Sequence, residues 1–150
     1  KYQIPFSKSY MGKGNTTLVD GVLGTLNFRD GNWQGFFGED LDCVIDLDSV
    51  QKIQSIAVNC YQYSNSWILI PKKITVLTSN DNKKWTKLKD IIPENHVKKR
   101  GKFIKKFTFN QLNQSTKYIR LKIENYGVLP IWHEAAGSKS WLFIDEIIVK

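Results

Sequence analysis

Apolar and polar residues alternate with a period of two along much of this chain, and no stretch shows the apolar spacing of an amphipathic helix. Successive side chains of a strand point to opposite faces, so the pattern restricts the chain to sheets with one wet face and one buried face. In Leu41 to Leu47, apolar Leu41, Cys43, Ile45 and Leu47 alternate with Asp42, Val44 and Asp46; in Tyr118 to Glu124, Ile119, Leu121 and Ile123 alternate with Arg120, Lys122 and Glu124. Further strands are predicted at Lys52 to Tyr63, Lys72 to Ser79, Lys84 to Leu88, Phe103 to Phe109 and Trp141 to Val149. Turn clusters such as Asp30-Gly31-Asn32 and Ser79-Asn80-Asp81-Asn82 punctuate them. Seven or eight short strands in 150 residues, each needing cover for one face, predict one all-β domain, a sandwich or jelly roll.

Three long connections remain, 2–40, 91–102 and 125–140, and loops of such length in a compact domain usually serve function. The segment from Asn125 to Glu146, NYGVLPIWHEAAGSKSWLFIDE, concentrates two tryptophans, a histidine and an asparagine among glycine and proline breakers. A tryptophan left in water forfeits roughly 25 cal/mol for each Å² of exposed apolar area, so its ring either packs on the domain or meets a ligand. The 22 basic and 14 acidic residues give a net charge of +8. Much of the excess lies in Lys98, Lys99, Arg100, Lys102, Lys105 and Lys106, which read as a solvated turn leading into a strand. Cys43 and Cys60 sit in alternating apolar runs that suit buried thiols as well as a bond, and do not fix the redox compartment. No apolar run approaches the ~18 residues of a membrane span, and a chain beginning at Lys1 reads as a piece of a longer protein.

Enzymatic chemistry finds few carriers here. Histidines are limited to His96 and His133; His133-Glu134 lacks a second histidine at helical spacing, so the zinc-protease pattern fails. A paired-carboxylate glycosidase is harder to exclude with 14 acidic residues, but spacing does not show which two face one another, and the acids fall mainly on alternating outer faces or in turns. Gly12-Lys13-Gly14 lacks the rest of a phosphate loop and its helix. The basic cluster and the tryptophans are separated in sequence, whereas single-strand nucleic-acid platforms interleave them. What remains is a binding module whose rings offer apolar faces and whose few polar groups set orientation, a surface suited to sugars.

The order Leu18-Val19-Asp20-Gly21 with Thr25, Val44-Ile45-Asp46-Leu47, Pro71-Lys72-Lys73-Ile74-Thr75-Val76 with Ser79-Asn80-Asp81-Asn82 and Trp85, Lys117-Tyr118-Ile119-Arg120-Leu121 and Asp145-Glu146-Ile147 resembles the discoidin, or coagulation-factor type C, domain, which includes the family 32 carbohydrate-binding modules. Arg29-Asp30-Gly31-Asn32-Trp33-Gln34-Gly35, Trp67-Ile68 and Asn125-Tyr126-Gly127 with Pro130-Ile131-Trp132-His133 look most like the C-terminal module of bacterial chitobiase-like β-hexosaminidases. The resemblance implies an eight-stranded antiparallel jelly-roll β-sandwich without catalytic residues of its own. It also implies a structural calcium ion held by the Asp20 and Glu146 side chains, Thr25 through hydroxyl and carbonyl, and the carbonyls of Thr17, Val22 and Asp145.

By the same resemblance, glycan is held by loops at one end of the sandwich, with Arg29, Trp33, Trp67, Asn125, Trp132 and His133 as candidates. Each has a structural alternative: Arg29 can pair with Asp30 or Asp40, Trp67 can plug the sandwich end, and Trp141 can pack inward, while Trp85 reads as core. The implied role is an accessory module, monomeric in isolation, that keeps a parent bacterial glycoside hydrolase near glycans bearing galactose- or N-acetylhexosamine-type sugars in the periplasm or at the cell surface. The alternative is an interdomain or protein-docking module whose sugar site is degenerate.

Overall fold

The structure, a computed structural model, describes residues 1–94 and 100–150. The expectations for His96, Lys98 and Lys99 lie outside the described residues. Eight strands follow in order: β1 (Gln34–Phe37), β2 (Leu41–Ile53), β3 (Ile56–Tyr63), β4 (Lys73–Ser79), β5 (Thr86–Ile91), β6 (Lys102–Phe109), β7 (Gln114–Glu124) and β8 (Trp141–Val149). They form two four-stranded sheets, β1-β8-β3-β6 and β2-β7-β4-β5, with every pairing antiparallel. This is the jelly-roll sandwich expected from the alternation.

Alternation works because the two sheets bury facing sides. Leu41 and Cys43 of β2, Ile74 and Val76 of β4, and Ile119, Leu121 and Ile123 of β7 meet Phe36 of β1, Ile56, Val58 and Cys60 of β3, Phe107 and Phe109 of β6, and Leu142 and Ile144 of β8 in one core. Each fully buried aliphatic or aromatic side chain contributes about 1.5–3 kcal/mol against conformational entropy. Both cysteines are buried free thiols, and burial pushes the Cys43 thiol up to about 12. The predicted strand 52–63 is split: β2 runs through Ile53, then Gln54 and Ser55 turn and bond with the backbone of Lys150.

β1 escapes the alternation because Gln34, Gly35 and Phe36 are all buried, so it has no wet face to reveal it. The same holds for β3 and β8, whose centres are buried on both sides. The cover on the outer face comes from the long segment before β1. A second cluster joins Trp33, Tyr61, Ile68 and Phe143, with Tyr10, Phe28, Tyr63, Ile104 and Trp141 packed around it. Tyr10 seats over Gly35, where a Cβ would lie 2.9 Å from both Tyr10 Cβ and the Phe143 ring.

Trp85 departs from its expected core position. It is half-buried beneath the Arg120 guanidinium, 5.7 Å from the ring centroid, and Arg120 itself forks onto Asp42 with two bonds of 2.8 Å. Strand directions bring the connections 38–40, 64–72 and 125–140, with the end of β5 and the start of β6, to one end of the sandwich. Among the described residues no helix is long and apolar enough to cross a membrane.

Candidate functional site

The connection after β3 tightens into a 3-10 turn at Ser64–Ser66, and Trp67 follows in the left-handed conformation, φ 64°, its N–H donating to Ser64 O at 2.9 Å. Ser64 also holds the start of β6, since its N–H donates to Gly101 O and its hydroxyl accepts from Gly101 N–H. Arg100 is thereby placed beside the 64–66 turn.

The 125–140 connection is folded on itself rather than open. Leu129 N–H donates to Ser138 O at 2.8 Å, and Gly137 N–H to Leu129 O at 3.1 Å. His133 pins this loop to the β3 turn: its Nε2 lies 2.8 Å from Ser64 O and its Nδ1 accepts from Ala135 N–H at 3.0 Å. A carbonyl only accepts and an amide only donates, so these partners select the tautomer with the proton on Nε2.

Ser64, Asn65, Arg100, Trp132, His133 and Glu134 line a cleft of about 250 Å³ at this end. Arg100 Nη2 donates to Trp132 O at 2.9 Å while its guanidinium carbon lies 5.6 Å from the Trp132 ring centroid. The ring is half-buried, and its indole N–H is buried without an acceptor among the described residues. A donor left in that state costs roughly 1–3 kcal/mol. The cleft thus offers an aromatic face, a fixed cation and a carboxylate on one rim.

The six candidate glycan residues do not converge. Trp132 lines the cleft, and His133 lines it with both ring nitrogens already engaged. Trp33 is 1% exposed; its ring lies 5.1 Å from that of Tyr61 and its N–H donates to Thr25 O, which makes it an interior support and corrects its placement as an exposed platform. Asn125 is 5% exposed and spends its side chain on Phe36, Glu39, Gly127 and Ser140, so it too acts through the scaffold. Trp67 is half-buried and its carbonyl accepts from Trp141 N–H, which ties it to the start of β8. Arg29 pairs with neither Asp30 nor Asp40 among the described residues; its guanidinium lies over Phe28 at 5.2 Å and borders a separate groove. Arg100, Ser64 and Asn65 were missing from the sequence-based set. Arg100 was hidden in a basic run, and nothing local marks it and Lys102 as members of that run that meet rings.

The expected calcium ligands lie where the N-terminal segment meets β8. Asp20 Oδ1 accepts from Val22 N–H and its Oδ2 takes the Lys13 ammonium at 3.3 Å. Glu146 accepts from Gly21 N–H at 3.2 Å, and Asp145 Oδ2 from Gly24 N–H at 2.8 Å, while Asp145 Oδ1 is buried without a partner. Burial pushes the Asp145 carboxyl up to about 6, with the Gly24 N–H opposing, and burial raises Glu146 as well. Thr25 is turned away: its hydroxyl donates to Asp30 at 2.8 Å and its carbonyl takes the Trp33 indole. The Thr17 hydroxyl accepts from Lys13 N–H and donates within its own turn. Among the described residues no three His, Cys, Asp or Glu side chains form a metal cage, so an ion here would depend on backbone carbonyls. The all-oxygen set, with an orphaned buried carboxylate oxygen beside it, fits a hard cation in kind.

The fold is similar to several solved structures. A carbohydrate-binding module that binds pectin is 19% identical, with TM-score 0.58 over 100% of this chain and 87% of its own. A family 32 carbohydrate-binding module in complex with 4,5-unsaturated mannuronic acid is 13% identical, with TM-score 0.60 over 100% and 92%. The C-terminal domain of a chitobiase from Bacteroides fragilis is 16% identical, with TM-score 0.57 over 100% and 91%. Among curated proteins no relative matches. The sequence model of the F5/8 type C domain matches residues 3–146, nearly the whole chain, and the chain belongs to that family.

Proposed function

We propose that the protein is a non-catalytic glycan-binding module that serves a bacterial glycoside hydrolase of the chitobiase-like β-hexosaminidase kind, exported to the periplasm or cell surface. The observation that carries this reading is the Arg100–Trp132 cleft, where a half-buried ring and a fixed cation meet at the loop end. A galactose- or N-acetylhexosamine-type sugar would lay its apolar face against Trp132 and accept from Arg100. Affinity for one sugar is expected to be weak, and tethering would supply its benefit through effective concentration.

The test is an amide and indole NMR titration with galactose, N-acetylgalactosamine and N-acetylglucosamine. Saturable shifts at Trp132 and Arg100 are expected, and Trp132→Ala is expected to weaken binding about tenfold or more, as removal of an aromatic anchor does. Silence from all three sugars would reject the reading. It would favour protein docking instead, for which Ile131, 96% exposed beside Trp132, supplies an apolar tip.

A calcium ion at Asp20, Glu146 and the carbonyls of Thr17, Val22 and Asp145 belongs to the same proposal, without Thr25, as a clamp between the N-terminal segment and β8. Saturating calcium is expected to raise Tm by about 5–10 °C for a domain of this size, and Asp20→Ala to remove the rise. An unchanged Tm with calcium and with chelator would reject the ion.

A further inference from the structure

We infer that the cleft is the first station of a longer track for a polyanionic glycan, running from Trp132 past Lys102 and Tyr63 at the β3–β6 edge into the groove at Arg29. The inference rests on the glycan reading above and adds the ligand's charge and length. Its observation is a repeated unit: three cations, each stacked over an aromatic ring, in adjacent places. Arg100 lies 5.6 Å from the Trp132 ring centroid, the Lys102 ammonium 5.2 Å from that of Tyr63, and Arg29 5.2 Å from that of Phe28.

The three units are contiguous. Ser64, which lines the cleft, is the next residue after Tyr63, and the Tyr63 and Phe28 rings lie 6.3 Å apart. Phe28 and Arg29 then line the second groove, of about 460 Å³, with Tyr10 and Met11. Lys106 falls on the same side of β6 as Lys102, two alternations along. Between the two recesses the single acidic lining side chain is Glu134. A cation held against a ring keeps its charge while the ring buries one of its faces, so it presents donors to an anion from a fixed position. Acidic sugars suit this spacing of charge and apolar surface, since each residue carries a carboxylate and a C–H face. Single-stranded nucleic acid needs a run of flat rings on which successive bases stack, whereas the Tyr63 and Phe28 rings are tilted at 52° to one another.

The test compares galacturonic acid, its trimer and its hexamer with a neutral galactose hexamer and with oligothymidylate, by calorimetry at low and high salt. The galacturonate hexamer is expected to bind at least about tenfold more tightly than the monomer, because successive residues engage linked subsites. Salt is expected to weaken it, since exposed charges are screened. Arg29→Glu and Lys102→Glu are both expected to abolish the gain on lengthening, with circular dichroism confirming the fold. Glu134→Gln is expected to tighten acidic ligands. A single sugar that binds at Trp132 with no gain on lengthening overturns the track and leaves the cleft standing. Binding of no sugar overturns both, and tighter binding of oligothymidylate replaces the glycan with nucleic acid.

Discussion

Trp33→Ala is expected to lower the unfolding free energy by about 3–5 kcal/mol, the range for emptying a buried aromatic site. The ring is 1% exposed and packed on several sides, although it also borders the groove at Arg29. Tyr61 stacks at a tilt 5.1 Å away, the indole N–H donates to Thr25 O at 3.0 Å, and Gly24 approaches so closely that a Cβ there would overlap the ring. Tyr61 is itself fixed through its hydroxyl to Leu26 O at 2.7 Å, so the loss would loosen the whole 24–33 segment from the sheet. At roughly 2–4 °C per kcal/mol for a domain of this length, Tm is expected to fall by about 10 °C, read by circular dichroism and by urea unfolding. Trp33→Phe keeps most of the ring and orphans the Thr25 carbonyl, so about 1–3 kcal/mol is expected. An unchanged urea midpoint together with lost glycan binding would return Trp33 to the role of ligand platform.

The difference between what was legible in the residues and what was not has a physical pattern. Strands with one wet face, such as β7 with Ile119, Leu121 and Ile123 inward, announce themselves because burial alternates with the pleat. β1 gave no signal, because its cover lies in a segment many residues away in sequence and both its faces are dry. The same remote cover explains Trp33: a tryptophan after Asp30-Gly31-Asn32 reads as a loop ring, and only the folded chain shows that the loop lies flat on Tyr61. The richness of the 125–140 loop was readable, but the division of labour within it was not. Trp132 faces a cleft while its neighbour His133 has both nitrogens committed, a distinction set by Ser64, far away on the end of β3. Arg100 was invisible for the opposite reason, since charge composition cannot say which member of a basic run meets an aromatic ring.

Asn125→Ala is expected to remove about 3 kcal/mol of stability and to abolish glycan binding with it, although Asn125 touches no open surface. Its side chain is a four-way junction. Nδ2 donates to Phe36 O at 3.1 Å and to Glu39 O at 3.0 Å, and Oδ1 accepts from Gly127 N–H at 2.9 Å and from the Ser140 hydroxyl at 2.7 Å. Those partners belong to the end of β1, the 38–40 turn and both ends of the 125–140 loop, while its own N–H donates to Asp40 at 2.8 Å. Alanine leaves these buried groups without partners and frees the loop that carries Trp132. Asn125→Asp is expected to do no better, because a carboxylate oxygen would then face the Phe36 and Glu39 carbonyls in place of a donor. Hydrogen exchange over 125–140 separates the two possible roles. Faster exchange and a lower Tm alongside lost binding mark a positioning residue, whereas lost binding with native exchange and Tm would mark a direct sugar contact. The geometry requires the former, since every hydrogen-bonding atom of the side chain that could reach a ligand already serves the joint between the core and the loop.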